Sequence, residues 1–196
     1  MITINRHTLG GLAFSLILLC CFAPSLPAQE MPVPVDVQFT LFAKILSFDR
    51  NFDVREKTAV TIGILYQGTY RTSLHAKDDA VRALQTASIS VSGKLVRFVE
   101  FDVAEGIDRL TPDMLGGIDV LYITPLRAVD IASIAGLTRT RSIRSLTGVP
   151  EYVASGVAVG IGTRGERPEI VINLPAAKLE GSNYSSQLLK LARVIP

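Results

Sequence analysis

Gly160, Gly162 and Gly165 spell G-x-G-x-x-G directly after an apolar β-rich run, the spacing with which a glycine turn lets backbone approach a dinucleotide pyrophosphate. That chemistry also requires a helix to open at the turn, so that its N-terminus can hold the phosphate charge. Here Pro168 and the run E-I-V-I-N-L follow instead, so the glycines read as a hairpin turn. His75 and His7 are the only histidines, and His7 falls in an N-terminal leader. Metal ligation by paired imidazoles is thereby excluded, and a Ser-His-Asp arrangement would have to use His75. No G-x-S-x-G elbow is present to offer a nucleophile. His75, with Asp78 three residues on, reads as an exposed helix-surface residue. The carboxylates Asp78 and Asp79, and those from Asp102 to Asp108, read as solvated surface. Arg139, Arg141 and Arg144 lie within six residues and could hold an anion, although a solvated loop is the simpler reading. No catalytic residue, metal ligand or cofactor follows from these patterns, and the chain reads as a non-enzymatic protein.

The elements that would position any site follow an α/β grammar. G-I-D-V-L-Y-I-T-P, from Gly117 to Pro125, is a short apolar run of β-branched and aromatic residues, which is how a strand buried on both faces reads. Thr124 and Pro125 then look like the N-cap and first position of a helix from Leu126 to Ala135 with Gly136 as its C-cap. V-T-I-G-I-L-Y, Val60 to Tyr66, is a second buried strand, and Gly63 within it signals a close approach. Lys94 to Phe101 alternates and belongs nearer an edge, Arg141 to Thr147 is a further short strand, and Gly156 to Thr163 with Glu169 to Leu174 forms an antiparallel hairpin.

Between the strands lie helices: Val35 to Phe48, Ser73 to Leu84 with Leu74, Val81 and Leu84 inward, short turns at Thr111 and at Tyr152, Pro175 to near Gly181, and Ser185 to Ile195 with Leu188, Leu189, Leu191 and Ala192 inward. The first helix has a broad apolar face. It packs on its own sheet in the simpler reading, or is buried a second time by a partner, to which Phe39 and Phe42 would belong. The result is a single α/β domain whose mainly parallel sheet is flanked by helices, with a C-terminal hairpin and two closing helices.

In such a sheet, ligands bind beyond the carboxyl ends of the strands, near a switch in strand order. The loops that would meet there start at Tyr66-Gln67, Thr124-Pro125 and Thr147-Gly148. Tyr66, Gln67, Tyr70, Thr124, Arg127 and Tyr152 are therefore the candidate ligand-binding residues, although helix capping by Thr124 needs no ligand.

A chain of 196 residues, 48% hydrophobic and 19% charged, holds one ordinary core. Its net charge of +2 gives no electrostatic case for nucleic acid. Residues 1–28 have the charged, apolar and small-residue regions of a secretory signal peptide, with Arg6, the run Leu9 to Ala23, and Pro27-Ala28. The apolar run falls short of the roughly 20 residues that span a bilayer. Cleavage after Ala28 removes both cysteines, Cys20 and Cys21, and leaves a thiol-free exported domain at 29–196. A lipoprotein reading through either cysteine lacks the small residue expected before it.

The C-terminal block V-I-N-L-P-A-A-K-L-E-G-S-N-Y-S-S-Q-L-L-K-L-A-R-V-I, Val171 to Ile195, resembles the ending of the YfiR/HmsC family, with Asn173-Leu174 and the Ser185 to Arg193 segment in the family's places. Looser agreement comes from Phe42-Ala43-Lys44, the T-I-G-I-L strand at Thr61, the segment from Gly93, D-V-L-Y-I from Asp119 and T-G-V-P at Thr147. The resemblance implies a periplasmic α/β sandwich similar to half of a solute-binding protein, acting as a repressor of an inner-membrane diguanylate cyclase and so lowering cyclic-di-GMP and biofilm output. The partner would be the periplasmic domain of such a cyclase or of a sensor kinase, with a homodimer left open. The other function that the residues leave open is a small-molecule-binding sensor module. Asp49-Arg50 stands where many members have Trp-Pro, and the family's cysteine pairs are absent from 29–196, so disulfide control does not carry over.

Overall fold

The computed structural model describes residues 31–54, 57–86 and 89–196; the leader expected at 1–28 lies outside them. α1 (Val35–Ser47) leads into β1 (Ala59–Tyr66), α2 (Arg71–Thr86), a short β2 (Ser90–Val91) and β3 (Lys94–Asp102). Two 3-10 turns, Ile107–Arg109 and Pro112–Leu115, lead to β4 (Val120–Ile123), α3 (Ile131–Thr140), β5 (Arg144–Thr147) and α4 (Glu151–Ala154). The hairpin β6 (Val159–Arg164) and β7 (Arg167–Asn173), then α5 (Leu174–Leu179), α6 (Ser186–Leu191) and β8 (Arg193–Ile195), complete the chain. The eight strands form one sheet in the order β2-β3-β1-β4-β5-β6-β7-β8. It is parallel from β3 through β6, and β2 and β7 run antiparallel to their neighbours β3 and β6. No helix among the described residues is long and apolar enough to cross a membrane.

β4 is buried at every position, as its unbroken apolar run requires. Successive side chains of a strand point to opposite faces, so the two cores are assigned by parity. Ile62, Ile64, Val120, Tyr122 and Leu146 join α1 and α2 in one core, whereas Leu65, Leu121, Ile123 and Phe101 join Ile131 and Ile134 in the other. α1 lays Phe39 and Phe42 on Tyr122, with ring centroids at 4.8 and 6.0 Å. Both phenylalanines are 1% exposed. The expectation that they meet a partner is therefore corrected: the aromatic face of α1 is used up by its own sheet. Gly63 admits Phe101 and Leu121, whose side chains lie 2.9 and 3.0 Å from where a Cβ would sit.

Other elements depart from the sequence reading. α2 turns Ser73, Ala76, Ala80 and Ala83 inward, and Leu74, Val81 and Leu84 are only half-buried. Small side chains let this helix lie close to the sheet, and the larger ones pack at its margins. Thr124 caps nothing: the following helix starts at Ile131, with Asp130 accepting from Ala132 N, and it runs through Gly136 to a C-cap at Arg141. The last helix stops at Leu191, and Arg193–Ile195 becomes a strand parallel to β7. Leu191 is exposed. An apolar run too short to bury as a helix found backbone partners at the open edge of β7. β3 lies near an edge as expected, and Leu95 and Val99 on one of its faces are 74% and 43% exposed.

Truncating Phe42 to Ala removes a ring from the α1–β4 contact and is expected to cost about 3–5 kcal/mol. Leu95→Ala, on the uncovered face, should stay within about 0.5 kcal/mol. Urea unfolding of the two variants measures the contrast.

Candidate functional site

The chain leaves β1 for β3 on one side and returns to β4 on the other, so strand order switches between β1 and β4. The loops beyond their carboxyl ends, 67–70 and 124–130, meet there, in the region where open α/β sheets bind ligands. All six sequence-selected residues converge on it, but they do not all face outward.

A chain of hydrogen bonds closes the floor. Thr124 Oγ1 donates to Leu65 O at 2.9 Å, so the 2.7 Å contact between the Ser73 and Thr124 hydroxyls runs from Ser73 to Thr124. Ser73 Oγ in turn accepts from Gln67 N at 2.8 Å. Tyr152 OH accepts from Leu126 N at 2.7 Å and donates to Leu126 O at 3.1 Å, clamping the loop after β4. Burial pushes the Tyr152 phenol up to about 12. Thr124 is fully buried and Tyr152 is 3% exposed, so these two build the site from inside and do not line it. Ser73, which the sequence reading named only as the start of a helix, is the hydroxyl that joins α2 to both loops. Its place at the first turn of a helix was the only signal, and hydroxyls there are common.

The rim consists of Tyr66, Gln67 and Tyr70, all half-buried, and the exposed Arg127. Gln67 Oε1 accepts from Arg127 N at 2.9 Å, which ties the two loops together. The next residue, Ala128, holds a φ of 55°, a conformation that costs a non-glycine residue of order 1–3 kcal/mol. Lys77 Nζ lies 5.3 Å from the centre of the Tyr66 ring and pairs with Asp78 and Glu100. Burial, and then the charge of Asp102, raises the Tyr66 phenol. Asp102, read from sequence as solvated, accepts from Gly68 N at 2.9 Å and Ala104 N at 2.8 Å. A Cβ at position 68 would sit 2.5 Å from this carboxylate, so a larger residue there would displace the Asp102 side chain. The rim thus offers a guanidinium, two phenols and an amide around a closed floor.

His75 sits exposed on α2. Asp79 pairs with Arg82. Among the described residues no cluster of His, Cys, Asp or Glu is placed to hold a metal ion. The glycines at 160, 162 and 165 belong to the β6–β7 hairpin, with Gly165 at a φ of 61° in its turn.

A second polar cluster occupies the opposite end of the sheet, and sequence reasoning missed it. Arg144, read as part of a solvated loop, is buried at the start of β5. Its Nε donates to Asp49 Oδ2 at 3.2 Å, and its other nitrogens donate to the carbonyls of Ser142, Asn51 and Gly181. Asp49 Oδ1 accepts from Asn183 N at 2.7 Å and Asn51 N at 3.0 Å. Of the other two arginines, Arg139 donates to Gly156 O and Arg141 pairs with Asp113. The three arginines therefore do not form an anion site.

Removing one partner from the buried pair leaves a charge without compensation, so Asp49→Ala is expected to cost about 3–5 kcal/mol. Tyr152→Phe leaves Leu126 N–H unpaired and should cost about 1–3 kcal/mol. Urea denaturation at neutral pH measures both.

Three solved structures share this architecture. The ABC domain in complex with L-Trp from Streptococcus pneumonia aligns with a TM-score of 0.60 at 14% identity, over 83% of this chain and 60% of that one. A conserved domain protein from Vibrio cholerae aligns at 0.59 and 14%, over 82% and 60%. The ligand-free, open form of CD0873, a substrate-binding protein with adhesive properties from Clostridium difficile, aligns at 0.57 and 16%, over 83% and 60%. At these identities the likeness is one of fold, and the chain spans about 60% of each of these proteins. No curated protein matches the sequence. The model of the YfiR/HmsC-like family matches residues 40–193, most of the chain, and this protein therefore belongs to that family of periplasmic regulators.

Proposed function

We propose that this protein is exported with cleavage after Ala28 and acts in the periplasm by binding the periplasmic domain of an inner-membrane diguanylate cyclase, which it represses. The observation that carries this reading is the family match across residues 40–193. It is supported by the site, whose polar groups are arranged for recognition: a rim of Tyr66, Gln67, Tyr70 and Arg127 stands over hydroxyls already paired with one another. With Phe39 and Phe42 buried, contact with a protein partner falls to exposed residues, among them Leu95, Val99 and Met114.

Deleting the gene is expected to raise cyclic-di-GMP and biofilm, and restoring the full-length gene should reverse both. Unchanged cyclic-di-GMP in the deletion strain overturns repression. Restoration with a gene that lacks the leader codons should fail, because the product then stays in the cytoplasm.

A second reading, a sensor module for a small molecule, is favoured by one feature: the exposed Arg127 beside a strained Ala128 at the strand-order switch. A ligand at a hundred times its dissociation constant adds about 2.7 kcal/mol to stability. Thermal-shift screening with amino acids and other small metabolites is expected to find a stabiliser that Arg127→Ala abolishes. A screen with no stabilising compound removes this reading and leaves the first intact.

A further inference from the structure

Glu180 is the one buried carboxylate in the second cluster that has no cation of its own. It follows α5 and is fully buried. Its Oε1 accepts from Thr138 Oγ1 of α3 at 2.7 Å and from Ser145 Oγ of β5 at 2.6 Å, and its Oε2 accepts from Ser145 N at 2.8 Å. Ser145 Oγ also accepts from Ala158 N at 2.8 Å, so the carboxylate stands at the meeting of α3, β5, β6 and the end of α5.

The charged and titratable groups facing it are few. Arg144 from β5 lowers its proton affinity through space, but the donors of that guanidinium go to Asp49, Ser142, Asn51 and Gly181. Asp49, beyond the end of α1, lies on the far side of Arg144. Tyr184, in the loop that follows, is a buried neutral phenol. Arg139 of α3 turns away to Gly156 O at 3.3 Å. A fully buried carboxylate without a counter-ion loses more hydration than three hydrogen bonds return. Burial accordingly holds its carboxyl up to about 7.

The surroundings fit both charge states. Thr138 Oγ1 lies 3.0 Å from Ala135 O as well as 2.7 Å from Glu180. When Oε1 carries a proton it can donate to Thr138 Oγ1, whose own hydrogen turns to Ala135 O. Ser145 N–H and the Ser145 hydroxyl keep their bonds to the acid, so none of the groups bonded to Glu180 is orphaned in either state.

We propose that Glu180 is a proton-operated latch: it takes up a proton as the surroundings turn mildly acidic and, once neutral, holds the end of α5 more tightly against α3 and β5. The segment it anchors is tied onward to the end of α1, by Arg50 N to Asn183 O and Ser185 N to Phe48 O, both at 3.0 Å. The latch therefore links the C-terminal segment to the helix that covers the sheet.

The sign follows from linkage. A carboxyl whose folded affinity for protons is raised contributes stability that is complete below its unfolded value of 4.5 and is lost as pH rises through about 7. From these two values the folding equilibrium constant should be about 30-fold larger at pH 5.5 than at pH 8. Urea unfolding is measured across that range for the full chain and for Glu180→Gln, both carrying His75→Gln so that no imidazole contributes from the mature chain. The expected result is a rise towards acid in the first protein that the second lacks, with amide protection at Asn183 and Ser185 rising alongside. A flat profile in the first protein, or the same slope in Glu180→Gln, overturns the proposal. If Glu180→Gln does not fold, the carbon-13 shift of the Glu180 carboxyl in the otherwise unaltered chain decides. A midpoint near 7 supports the latch, and one in the ordinary carboxylate range ends it.

Discussion

β4 has water on neither side. Val120, Leu121, Tyr122 and Ile123 are each inaccessible to solvent, and a strand in that position needs an apolar layer over each face. α1 supplies one layer through Phe39 and Phe42, and α3 supplies the other through Ile131 and Ile134. The same burial leaves the backbone at both strand ends with no water to bond, and such groups must find partners within the protein. Much of the remaining polar structure answers that requirement.

The two ends answer it differently. At the carboxyl end hydroxyls predominate: Thr124 and Thr147 bond the carbonyls of Leu65 and Ile123, and Tyr152 takes both backbone groups of Leu126, while the Asp102 carboxylate caps Gly68 N and Ala104 N. At the amino end the partners are charged: Asp119 accepts from Thr61 N and pairs with Lys57, Arg144 is locked to Asp49, and Glu180 accepts from Ser145 N. Hydroxyls fix loop geometry without adding a net charge. Charged groups in low dielectric are strong when paired and costly when not, which suits a clamp.

The chain covers only part of each structural neighbour, and it carries its own closing elements. α5, α6 and β8 extend the sheet past the β6–β7 hairpin, and Asp49, Asn183 and Tyr184 bind that extension to the end of α1. The first and last elements are thus held by one buried ion pair and its neighbours.

The strands β1, β3, β4 and the β6–β7 hairpin, the first helix and the convergence of the loops at residues 67 and 124 were all legible in the residues. Each rests on a local signal, either apolar periodicity or turn chemistry, that acts over a few positions. The inward face of α2 was read in part: Val81 and Leu84 do pack against the core, but close helix-to-sheet packing selected Ser73, Ala76, Ala80 and Ala83 for its centre. The burial of Phe39 and Phe42 depended on whether the first helix had one partner or two, which periodicity does not encode. Thr124 looked like a cap because Thr-Pro is a local helix-start pattern, but Ser73, 51 positions away, claimed its hydroxyl. The charged joint left no pattern, since Asp49 and Arg144 are 95 positions apart, and Ser145 and Glu180 are 35 apart. Sequence alone therefore determined most of the strands and helices, though neither β2 nor β8, and where the loops gather. The tertiary structure decided which polar side chains are spent on holding the fold and which remain free, because those pairings come from distant residues brought together only by packing.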